Sequence, residues 1–207
     1  MPLLTIVTES TNRLLLSREE IAEVVAETDA AKLDALNARV SALIVGACRV
    51  ASAGAAPPTL RLETVSDTYR LKSSQDELML SRRPVVTFSS VVEAGTTLTE
   101  GDDYECDKSS GLLYRLSGTD RTCWSSGLIV VTYSAGWQTV PHDLRELARK
   151  LATMIASESG RDASLGAMEI PGVISETYRF GRPDDPLIPV EIMEGLQRGG
   201  YVNTWVA

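Results

Sequence analysis

Residues 98 to 154 change their periodicity once, at a proline, and that change constrains the fold more than any other feature of the chain. Up to Trp137 the pattern is strand-like: Leu112-Leu113-Tyr114-Arg115-Leu116 follows a Ser109-Ser110-Gly111 turn, and Leu128 to Tyr133 is a β-branched, apolar run. That run is apolar at consecutive positions, which predicts a central strand and not an edge. After Pro141 the spacing becomes helical. Leu144, Leu147, Ala148, Leu151, Met154 and Ile155 recur every three or four residues and predict one buried helix face. Pro141 suits a helix start, where its missing N–H removes nothing the helix needs.

The same two periods divide the rest of the chain. The first fifty residues read as helical. Ser17-Arg18-Glu19-Glu20 has the S-x-x-E form of a capping box, followed by Ile21, Val24 and Val25. Thr28 or Asp29 caps a longer helix with Leu33, Leu36, Val40, Leu43, Ile44, Ala47 and Val50 on its apolar face. Gly54, Pro57 and Pro58 end it. Between 59 and 137, Thr59–Glu63, Tyr69–Lys72, Leu78 with Leu80, Val85–Phe88 and Val91-Val92 alternate or flank strands separated by turns. Short strands with frequent turns predict an antiparallel sandwich or small barrel. From Pro171 the chain is rich in proline, with isolated aromatics at Tyr178, Phe180, Tyr201 and Trp205. A last short helix from Pro189 to Gln197 presents Val190, Met193 and Leu196 on one face.

The fold class is therefore α+β. N-terminal and C-terminal helices (1–56 and 138–170) pack together, an antiparallel β-sandwich or small barrel (57–137) is inserted between them, and an extended C-terminal tail (171–207) follows.

Composition narrows the chemistry. The net charge of −8 argues against a broad grip on nucleic-acid phosphates. Three cysteines at 48, 106 and 123 make neither a disulfide framework nor a metal knuckle, so free thiols are expected. No segment approaches the ~20 apolar residues of a membrane span, and residues 1–7 lack the basic and apolar regions of a secretory signal. A soluble protein made in the cytoplasm is expected.

Catalytic constellations are weak. Asp102-Asp103, with Glu100 and Glu105, could suggest a cation site or a carboxylate pair, but EF-hand spacing is absent and a solvated turn explains them better. His142, the single histidine, is expected to be exposed in the first turn of its helix. No nucleophile elbow or phosphate loop is present. A small hydrolase using Asp102, Asp103 or His142 is the weakest alternative. A tail-associated β module that binds host or carbohydrate is a second. No cofactor and no metal are expected. Arg82-Arg83 and the pair Arg145 and Arg149 are the basic clusters, the latter reading either as an exposed face alternating with Glu146 or as a contact for an acidic neighbour. Trp124 and Trp137 read as sheet-edge core aromatics. Trp205, beyond a Gly199-Gly200 pair expected to permit flexibility, reads as a partner-seeking aromatic.

Four elements together resemble one family: Trp124, the strand end Val131-Thr132-Tyr133-Ser134-Ala135-Gly136, the link Val140-Pro141-His142-Asp143-Leu144, and the Ala/Leu-rich helix after Asp143. They resemble the head–tail adaptor (connector) proteins of tailed bacteriophages and of phage-derived gene transfer agents. The resemblance implies a structural protein of the virion neck, made in the host bacterial cytoplasm, and not an enzyme. It implies a homo-oligomeric ring of about twelve copies beneath the portal protein. Such a ring extends the DNA channel, encloses DNA without reading its sequence, and receives a downstream stopper or tail-terminator protein. The C-terminal segment would reach the portal, with Tyr178, Phe180, Tyr201 and Trp205 as the contact residues.

Overall fold

The computed structural model describes residues 2–53, 57–159, 167–170, 174–177 and 188–203. Its elements, in order, are β1 (Leu3–Thr8), α1 (Arg18–Ala22), α2 (Ala30–Ala47), β2 (Glu63–Leu71), β3 (Glu77–Met79), β4 (Val85–Glu93), β5 (Thr96–Leu98), β6 (Tyr104–Asp107), β7 (Leu112–Ser117), β8 (Asp120–Thr122), β9 (Gly127–Ala135), α3 (His142–Ser159), β10 (Ala167–Ile170), β11 (Ile174–Thr177) and α4 (Val190–Arg198). The α+β class is as expected. The chain divides into a β unit (Met1–Leu15, Cys48–Pro141 and Asn203–Ala207) and a helical unit (Leu16–Ala47 and His142–Val202).

The β unit has a five-stranded antiparallel sheet of order β1-β2-β9-β4-β5 and a smaller sheet of order β3-β7-β6, with β8 beside β7. Side chains from both sheets form one core. Val65, Tyr69, Val91, Ile129, Val131 and Tyr133 from the larger sheet meet Leu78, Tyr104 and Leu113 from the smaller. The result is a sandwich and not a closed barrel. β9 is central, as its sequence predicts, but its burial alternates, so only one face is sealed in the core. Trp124 is fully buried and donates its indole N–H to the Leu113 carbonyl, 3.2 Å away.

β1 corrects the helical reading of the first fifty residues. Leu3-Leu4-Thr5-Ile6-Val7-Thr8 is rich in β-branched residues, which lose rotamer freedom in a helix and fit a pleated surface, and it pairs antiparallel with β2. Gly136 explains the strand end that follows β9. Its φ is +101°, and a Cβ there would lie 2.5 Å from the Arg61 carbonyl oxygen. No other residue fits.

In the helical unit, α1 begins with the predicted capping box. Ser17 Oγ accepts the Glu20 N–H and Glu20 Oε2 accepts the Ser17 N–H, at 3.2 and 2.7 Å. Asp29 caps α2 by accepting the N–H groups of Ala31 and Lys32. The buried stripe of α2 includes Asn37 and Ser41, while Leu36 and Leu43 are only half-buried. Asn37 is tolerated inside because its amide donates to the Leu16 carbonyl at 2.9 Å. On α3, Leu144, Ala148, Leu151, Ala152 and Ile155 are buried, whereas Leu147 and Met154 are half-buried. α4 realises the expected last helix and packs on α3. Its buried residues are Ile192 and Leu196, while Val190 is exposed.

Candidate functional site

Of the four aromatics expected to meet a partner, Tyr178, Phe180 and Trp205 lie outside the described residues. Tyr201 is buried in the helical unit. The end of α4 forms a Schellman motif: the Tyr201 N–H bonds the Leu196 carbonyl and the Gly200 N–H bonds the Gln197 carbonyl, each at 3.0 Å. Gly199-Gly200 is thus a defined helix stop, which corrects its reading as a flexible joint. The phenol of Tyr201 then reaches the first turn of α3 and donates to Asp143, 2.6 Å from each carboxylate oxygen. α4 comes close to α3 along its glycine side, where a Cβ on Gly195 would lie 2.6 Å from Leu147 Cδ2.

A second tie holds α1 to α3. Glu20, the capping-box acid, also accepts from Arg145 (3.0 Å) and Arg149 (3.4 Å). Burial alone would raise the Glu20 carboxyl. The Ser17 N–H and the two guanidinium groups outweigh it and hold the carboxyl below its ordinary range. Of the two readings of Arg145 and Arg149, the acidic neighbour is Glu20 of the same chain, while Arg149 also lies 3.8 Å from Glu146 on its own helix. A groove of about 720 Å³ beside them is lined by Val24, Glu146, Leu147, Arg149 and Lys150. Two of its cations are matched within the unit, Lys150 to Glu191 at 2.8 Å and Arg149 to Glu20, Glu23 and Glu146.

In the β unit, period-two alternation along β2 puts Glu63 and Asp67 on the inner face with Val65 and Tyr69. Asp67 is fully buried and accepts the Tyr133 hydroxyl (2.8 Å) and the Ser81 N–H (2.7 Å). Burial raises its carboxyl above the ordinary range, against those two hydrogen bonds. Burial first, and then Asp67, raise the Tyr133 phenol. Arg82 lies 3.4 Å from Glu63 and donates to the Thr59 carbonyl at 2.6 Å. Perturbed groups of this kind often mark active sites. Here Glu63, Asp67, Arg82 and Tyr133 are sealed from solvent, so no substrate reaches them in this conformation. The cluster ties the Ser81–Pro84 segment to the large sheet. Sequence reasoning missed Glu63 and Asp67, although the alternation along β2 carried the signal.

The remaining candidates are surface features. Asp102 and Asp103 sit in a turn, where Asp103 accepts the Thr99 N–H at 2.9 Å. The side chain of His142 is 77% exposed, 4.0 Å from Glu146. Among the described residues, no group of three or more His, Cys, Asp or Glu side chains could hold a metal ion, and no helix is long and apolar enough to cross a membrane. All three cysteines are free, and burial pushes the Cys48 and Cys106 thiols up to about 12.

No protein-family model and no curated protein matches this sequence. Solved structures do match its fold over nearly the whole chain. A chain in the neck of an empty gene transfer agent (GTA) particle, computed with C6 symmetry, gives a TM-score of 0.55 at 16% identity. A chain in the virion of a native GTA particle gives 0.56 at 18%, and one in the neck of a native GTA particle, computed with C12 symmetry, gives 0.51 at 20%. Each match covers 99% of this chain and 97% of the other. The fold is thus one found in particle necks.

Proposed function

We propose that this chain is a structural component of the neck of a tailed phage or gene transfer agent particle. In this reading it is a head–tail adaptor: a ring between the portal protein and the next connector or tail component that continues the DNA channel. The observation that carries the reading is the end-to-end fold likeness to chains of particle necks, at 99% coverage of this chain. A domain shared by chance would match one unit and not both.

The residues support a scaffold. Two polar constellations of the helical unit, Tyr201–Asp143 and Glu20–Arg145–Arg149, join one helix or helix end to another. The buried polar cluster around Asp67 fixes a loop. Symmetric rings need rigid subunits whose contact surfaces keep their geometry from copy to copy. The docking aromatics are Tyr178, Phe180 and Trp205. Tyr201 serves them indirectly by fixing the course of the chain before Trp205.

Size-exclusion chromatography with light scattering tests the reading. Mixed with its portal, the chain should leave the monomer peak and co-elute at the mass of a portal carrying a full ring. A chain that elutes as a monomer, alone and beside the portal at micromolar concentration, overturns the adaptor reading.

A further inference from the structure

The large sheet has two unlike edges. On one side β5 covers β4 only at Val91–Glu93, and the uncovered part of β4 carries two register irregularities, at Val85/Thr87 and Phe88/Ser90. Bulges of this kind protect an edge from pairing. The other edge, β1, is almost unguarded. Leu3 to Ile6 pairs with β2 in regular register, and the single irregularity comes after Ile6. The six residues Leu3–Thr8 include no charge and no proline. Leu4 and Ile6 pack on the core, while Leu3 is 70% and Val7 57% exposed. Among the described residues no strand pairs with the outer side of β1, and such an edge presents a template for another strand.

The same chain carries a ribbon without a sheet. β10 and β11, four residues each, pair with one another and with no other described strand. A two-stranded ribbon is marginal by itself and becomes stable when it joins further strands. Its four-residue strands match the four regular residues of β1. A cyclic ring requires two different surfaces on each copy, because a head-to-tail contact is not self-complementary.

We propose that the β10–β11 ribbon of one copy adds to β1 of the neighbouring copy, so that the five-stranded sheet becomes a seven-stranded sheet shared between subunits. The main-chain groups of β1 supply the pairing, and Leu3 and Val7 supply the apolar contact. This inference rests on the ring reading above and names the contact that closes the ring.

Amide exchange of Leu3–Thr8 in the full chain, as a dilute subunit and as a ring assembled with the portal, tests it. The outward-facing amides of β1 should become protected on assembly. Leu3→Lys with Val7→Lys, at positions already exposed, should weaken ring formation by about tenfold or more. Ser175→Pro, which removes a strand N–H from the ribbon, should do the same. Mixing the two variants leaves one intact ribbon–edge contact per pair, so the mixture should stop at dimers, a result that general destabilisation does not produce. Rings whose β1 amides exchange as fast as in the subunit overturn the shared sheet and leave the ring reading standing. Protection that survives Ser175→Pro, or is already complete in the dilute subunit, overturns the neighbouring ribbon as occupant. A chain that never assembles overturns both readings.

Discussion

Tyr201 and Asp143, fifty-eight residues apart, are joined by a phenol hydroxyl lying 2.6 Å from both oxygens of one carboxylate. The bond links the residue that closes the Schellman stop of α4 to the first turn of α3. It makes the start of the V-P-H-D-L helix and the end of the last helix one structural event. Tyr201→Phe keeps the ring and removes the bond, and should cost about 1–3 kcal/mol, as for a hydrogen bond to a charged group. Urea unfolding of Tyr201→Phe, Asp143→Asn and the double variant checks it. Strictly additive losses would show that the two side chains do not interact.

The chain end separates folding from docking. Asn203 is buried in the β unit, donating to the Cys48 and Arg49 carbonyls at 2.9 and 3.2 Å. Removal of residues 204–207 should therefore leave thermal stability unchanged and weaken portal binding. Removal of residues 199–207 also takes away the helix stop, Tyr201 and Asn203, and should lower the melting temperature by several degrees, at about 4 °C or less per kcal/mol for a chain of this size. Equal portal binding by the 204–207 truncation and the intact chain would remove Trp205 from the docking surface.

On α3, Leu147 and Leu151 differ in burial. Leu151 is sealed, and Leu151→Ala should cost about 2–5 kcal/mol. Leu147 is half-buried against Gly195, so Leu147→Asp should cost clearly less than Leu151→Asp. Gly136→Ala should be worse than a cavity, because the backbone of Arg61 occupies the Cβ position and φ is positive. Chemical denaturation ranks them, and a Leu147→Asp loss equal to that of Leu151→Asp would contradict the assigned face.

Much of this was legible in the sequence. The capping box at Ser17, the α3 stripe after Asp143, the central β9 and the turn at Asp102-Asp103 all stand where local pattern puts them. Each is specified by neighbours within a few residues. β1 was missed because it was read together with the helices that follow it, although its β-branched residues carried a strand signal; its partner β2 begins some sixty positions later. Asn37 and Ser41 in the α2 stripe, and Glu63 and Asp67 in the β core, were missed for a related reason. Polar residues are placed outside by default, and only a distant partner, such as the Leu16 carbonyl or the Tyr133 hydroxyl, makes burial tolerable. The roles of Gly195 and Gly199-Gly200 depend on packing between helices that sequence spacing does not reveal.

Acid should act oppositely on the two units. Glu20 has a lowered carboxyl, so its contribution is present above the unfolded value near 4.3 and is lost as pH falls through the folded value. Asp67 has a raised carboxyl, so its contribution is greatest below the unfolded value near 3.9 and declines as pH rises through the folded one. On acidification from pH 5, helical circular dichroism should therefore fall at a higher pH than the fluorescence change of buried Trp124. Coincident transitions, or the reverse order, would contradict this assignment.

With a net charge of −8, and Arg145 and Arg149 already held by Glu20, the isolated chain should show no duplex DNA binding in a gel shift near physiological salt. Tight binding that falls steeply with added salt would move these arginines to a DNA-lined wall.

Cryo-electron microscopy of the chain mixed with its portal protein tests the central claim most directly. The account predicts a ring of copies of this chain, coaxial with the portal and continuing its channel, with residues beyond Asn203 against the portal surface. Portal particles that carry no added ring, or that bind the chain as scattered single copies off the axis, would contradict it.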